Sequence, residues 1–149
     1  MASIVRSVTN ADNVPTVVHL AVDVSQTINA GDLVQIDATS RKLEVAVGAS
    51  TTIVGIALES ITTGVAVTAA DTIPVALVRN QVVRLPFITS GSKTTFADTD
   101  KYTTAYDLED ENSIDPDDTT GGMCYVQAYD NTNKTVDVIF AAANLANVG

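Results

Sequence analysis

His19 is the only histidine in the chain and stands four residues before Asp23, a pairing that could supply the base and orienting acid of a nucleophilic triad. No G-x-S-x-G elbow accompanies it, so His19 reads as a solvated or interfacial residue on the polar face of a strand. Cys124 is the single cysteine. Its neighbours Met123, Tyr125 and Val126 predict a strand and a buried, inert thiol, because no cluster of bases stands ready to stabilise a thiolate. One histidine and one cysteine fall short of a zinc ligand set. The remaining candidates are the carboxylates of DLEDENSIDPDD, residues 107–118, which could offer oxygens to calcium. They lack the D-x-[DN]-x-[DN]-G order with a glutamate at the twelfth position. The glycines form neither a P-loop nor a G-x-G-x-x-G turn, and with 5% aromatics and no tryptophan there is little to build a sugar-stacking platform. The expectation is a protein without catalytic residues, metal or cofactor.

The elements that would position such residues are strands. Valine, isoleucine and threonine supply 51 of the 149 residues against four glutamates and four lysines, so β-branched side chains far outnumber the straight-chain helix formers. Leu43, Val45 and Val47 alternate with Lys42, Glu44 and Ala46, and Ile73, Val75 and Leu77 repeat the pattern, as expected of half-buried antiparallel strands. Val18, Leu20, Val22 and Val24 give another strand an aliphatic face. Small and turn-forming residues at Ala30-Gly31-Asp32, Ala38-Thr39-Ser40 and Gly48-Ala49-Ser50 separate the runs, which predicts strands that neighbour each other in sequence order. Residues 1–16 are polar and irregular, and read as an N-terminal arm before a single β domain over 17–149. The segment Ile61–Ala70 is unusually apolar; the core reading is favoured slightly over an exposed loop whose Val65 and Val67 would meet another subunit. Nine of the eighteen acidic residues fall within 98–118, where mutual repulsion predicts a solvated acidic loop at about 98–120. Strands are expected again over Met123–Asp130 and Thr135–Phe140.

The net charge of −10, with Arg6, Arg41, Arg79 and Arg84 widely separated, argues against direct contact with nucleic acid. No run approaches the roughly 20 apolar residues of a membrane helix, and the N-terminus lacks the pattern of a secretory signal, so a soluble cytoplasmic start is expected.

Three motifs follow one another: Gly31-Asp32-Leu33-Val34-Gln35-Ile36-Asp37, then Lys42-Leu43-Glu44-Val45-Ala46, then Ile53-Val54-Gly55-Ile56-Ala57. In that order they resemble the capsid decoration (cement) proteins of tailed phages, over about residues 28–87 and only loosely elsewhere. The resemblance implies an all-β fold, a compact antiparallel β-barrel or sandwich of β-tulip-like form. It also implies a structural virion protein, made in the host cytoplasm, that binds the outer surface of an assembled capsid and stabilises contacts between copies of the major capsid protein, commonly as a homotrimer. The arm would then meet the capsid through Ile4, Val5, Arg6, Val14 and Pro15, pairing with an exposed capsid strand. The alternative is a receptor- or glycan-binding β module at a virion or cell surface.

Overall fold

The β-branched composition is realised almost wholly as strands. The structure is a computed structural model and describes residues 1–8 and 14–149. Its strands are β1 (Ser3–Ser7), β2 (Val17–Ala21), β3 (Thr27–Ile28), β4 (Leu33–Ile36), β5 (Leu43–Val45), β6 (Ile53–Ala57), β7 (Ile61–Thr62), β8 (Thr72–Leu77), β9 (Gln81–Pro86), β10 (Ala105–Asp110), β11 (Ser113–Asp115), β12 (Cys124–Asp130) and β13 (Thr135–Phe140). Helix is limited, among the described residues, to two 3-10 segments, Asp98–Asp100 and Ala142–Asn144.

Two antiparallel sheets carry the fold. One has six strands in the order β1-β9-β13-β12-β10-β11, the other five in the order β2-β8-β6-β4-β5, and β3 and β7 form a short pair beside them. An isolated bridge, Val22 to Leu43, joins the segment just after β2 to β5. Neither sheet closes, so the all-β expectation holds in its sandwich form rather than as a barrel.

The inner strands β4 and β6 of the five-stranded sheet are covered on both faces, which explains why they are apolar runs, whereas its edge strand β2 alternates between exposed and half-buried residues. On β4, Leu33 joins the larger core while its neighbour Val34 joins the smaller one, both with no exposed surface. All five residues of β6 are buried. Each fully buried isoleucine or leucine contributes about 1.5–3 kcal/mol relative to an exposed one. The six-stranded sheet alternates where only its inner face is covered. On β13, Val136, Val138 and Phe140 are buried and Thr135, Asp137 and Ile139 half-buried.

Several expectations fail here, each for a physical reason. Residues 3–7 are not part of an arm: they form β1, paired with β9 from Ser3–Arg84 to Ser7–Gln81, and Ala2 is buried in the larger core. Residues 9–13 of the expected arm lie outside the described residues. The acidic stretch is not a solvated loop, since it contains β10 and β11, and it buries Asp107, whose charge is met by backbone N–H groups. The alternation through Val47 stops at Val45, because the Ala46 N–H donates to the Leu33 carbonyl (3.0 Å), which leaves Ala46 buried and Val47 exposed. Val65 is 91% exposed, so the core reading of Ile61–Ala70 gives way to an exposed loop beyond the two residues of β7. β8 and β9 are consecutive but belong to different sheets. The turn between them passes through Asn80 at φ 60°, and its N–H to carbonyl bond from Gln81 to Val78 (3.1 Å) carries the chain across the sandwich.

Candidate functional site

The motif residues prove to be turn builders. Gly31 adopts φ 96°, a left-handed conformation that glycine accepts without strain. Asp32, almost fully buried, then takes the Asn29 N–H on one oxygen (2.8 Å) and the Asn112 side-chain amide on the other (2.9 Å). Asp37 closes the following turn by accepting the N–H groups of Thr39 and Ser40 at 2.8 and 2.6 Å. Those bonds, with the Ser40 bond the stronger, hold its carboxyl below the usual range. Gly55 lies mid-strand for a different reason: a Cβ there would sit 2.1 Å from the Ala76 carbonyl oxygen on the neighbouring strand. The three motifs therefore fold as β5, β4 and β6, adjacent in space with β4 in the middle.

The candidates for chemistry stay apart. His19 is exposed on β2 opposite Pro74, whereas Asp23 accepts from the Ser40 hydroxyl (2.5 Å) and the Val24 N–H (2.8 Å). Cys124 is fully buried, and burial, followed by the charge of Asp107, pushes its thiol far above the ordinary value. Among the described residues no three His, Cys, Asp or Glu side chains converge as metal ligands would. The acidic segment instead ties loops down. Asp107 receives the Ala49 N–H on both oxygens (2.9 and 2.8 Å), and Asp117 receives the Lys93 N–H (2.9 and 3.0 Å).

One polar cluster had no signal in the sequence. Asp100 is gripped by the Lys93 ammonium at 2.9 and 3.0 Å, the Tyr106 hydroxyl at 2.7 Å and the Ala97 N–H at 2.7 Å. The ammonium stands 5.5 Å from the centre of the Phe96 ring, which packs edge-on against both Phe87 and Tyr106. Burial pushes the Asp100 carboxyl up, but these donors outweigh it and hold the group below its ordinary value. The same cluster raises the Tyr106 hydroxyl, through burial first and Asp100 second. Its parts come from residues 93, 96, 100 and 106 and meet only because the chain folds back along β10.

The expected contact residues divide between two regions. Ile4 is half-buried, while Val5 and Arg6 are exposed on β1, at the edge of the six-stranded sheet. Val5 is the extra residue of a bulge, because Ile4 pairs with Val83 and Arg6 with Val82. Pro15 shares with Ile4 the wall of an apolar groove of about 340 Å³, completed by Met1, Ile56, Leu58 and Ala76. Leu58 and Met1, 46% and 72% exposed, stand at this groove, and neither was singled out by sequence pattern. Val14 is 70% exposed and lies by a separate, more polar cleft beside Arg79 and Asn80. Val65 is almost wholly exposed, and Val67 is half-buried beside it in the same loop. Comparison with known protein families and with curated proteins gives no match to this chain.

Proposed function

We propose that this chain is a structural protein of a phage virion, one that binds the outer surface of the assembled capsid and reinforces contacts between major capsid proteins. The observation that carries this reading is the spatial order of the three motif strands, with their aspartates used to set turns and their glycine to admit a neighbouring backbone. A scaffold tied down in this way suits adhesion without chemistry. Binding to the lattice but not to separated subunits would stabilise it by mass action at every site, and many equivalent sites multiply a modest gain. A net charge of −10 keeps many copies soluble before assembly and faces away from packaged nucleic acid. A homotrimer is part of this proposal, in line with closed cyclic assembly.

The test is sedimentation of the purified protein with expanded capsids that lack it, followed by cryo-microscopy. Saturable co-sedimentation at fixed lattice positions is expected. Protein that remains in the supernatant at all concentrations would refute the reading.

A further inference from the structure

After the 3-10 turn Ala142–Asn144, residues Leu145–Val148 lie beside the start of β6, where Leu145 bridges to Ile53. Leu145 is buried in the larger hydrophobic cluster, whereas Ala146 and Val148 are half-buried against the smaller one. Four residues thus clasp both clusters at once.

The attachment is thin. The Ala146 N–H donates to the Ile53 carbonyl (2.8 Å), and the Arg79 guanidinium donates to the Ala146 carbonyl (3.2 Å) and the Asn147 side-chain oxygen (3.4 Å). Just before the clasp, the Asn144 amide donates to the Ser50 carbonyl (2.7 Å). Among the described residues, the N–H groups of Asn147 and Val148 find no backbone acceptor. A cleft of about 350 Å³, lined by the segment and by Ile36, Arg41 and Thr51, leaves one flank unsealed. β6, by contrast, is hydrogen-bonded to β4 and β8 on its two sides. A segment with so few ties opens while such strands stay closed.

What enters the seat when the clasp leaves follows from the sequence. Every copy carries the segment that fits, so contacts given up in one copy are regained in another. Residues 141–149 hold no charged side chain, and passing them to a second body with the same charge of −10 brings no repulsion of their own. The turn is a workable hinge, with Ala142 and Ala143 exposed and no side chain capping it. Released and extended, residues 141–144 reach about 14 Å, enough to span to an abutting copy.

We propose that Leu145–Val148 is a detachable clasp, and that its seat at Ile53 and Arg79 receives the same segment of a second copy. This does not rest on the capsid reading.

The test uses the full chain and a fluorescent peptide with the sequence of residues 141–149, which stands in for the second copy's clasp. Val148→Asp loosens the chain's own clasp and leaves the seat intact, so this variant should bind the peptide about tenfold more tightly than wild type. The peptide carrying Val148→Asp should not bind. In wild type, native-state hydrogen exchange at the Ala146 amide should run about a hundredfold faster than in β6. Light scattering of concentrated wild type should show a dimer or ring that Val148→Asp does not form. Equal peptide affinities, no binding by either chain, an Ala146 amide as protected as β6, or a wild type monomeric at all concentrations would each overturn the inference. The exchange and scattering measurements on wild type decide the matter even if Val148→Asp does not fold.

Discussion

Asp100 shows how a charged residue in an acidic chain becomes structural. Alone in a sequence it is one of nine acids within 98–118, yet in the fold it collects three donors, and its carboxyl sits below the ordinary value of 3.8. A carboxyl depressed in the folded state contributes stability that is fully present above the unfolded value and is lost as pH falls through the folded one. Thermal melting of wild type and Asp100→Asn across acid pH should therefore show a gap in favour of wild type near neutrality that closes below about pH 4. A gap independent of pH would mean that the Lys93 and Tyr106 contacts do not favour the charged form. Nothing in the spacing of residues 93, 96, 100 and 106 signals this cluster, because its geometry follows from a turn and a strand that bring the two aromatic rings together. Cys124 is the contrary case: its apolar neighbours alone predict burial, and the structure gives none of its surface to solvent.

Strands were legible where their neighbours are local or their composition is uniform. Thr135–Phe140 is found as expected, Cys124–Asp130 begins one residue later, and Ile53–Ala57 is the expected third motif. β1 was not legible, because Ser3, Arg6 and Ser7 look like a polar tail and its partner β9 lies some 80 residues away in sequence. β10 was hidden by its acids: besides the adjacent Leu108 N–H, the donor that meets Asp107 is the Ala49 N–H, 58 residues earlier. β6 offers the sharpest element-scale test, since it is hemmed in by β4 and β8. Gly55→Ala should destabilise the protein by about 3 kcal/mol in urea unfolding, as overpacking against backbone leaves no flexible side chain to yield. A change below about 0.5 kcal/mol would show that the strand pair opens freely at that point.

At the scale of the whole molecule, the two hydrophobic clusters are held by the same strands, with Leu33 and Val34 of β4, and Ile53 and Val54 of β6, facing opposite ways. Losing one cluster exposes the strands that build the other. Ile53→Ala and Val54→Ala should each cost about 2–4 kcal/mol and each lower one common transition, seen alike by near- and far-ultraviolet circular dichroism. Two separable transitions would show that the clusters melt independently. Because most strand pairs join distant parts of the chain, refolding should be slow for the protein's size, in milliseconds to seconds by stopped flow. What the sequence alone determined was the class of structure, through β-branched composition and turn residues whose effect is local. Tertiary structure decided which acids are buried, which polar tail is an edge strand and which apolar loop faces water, because each depends on donors, strands or cover supplied by residues far away along the chain.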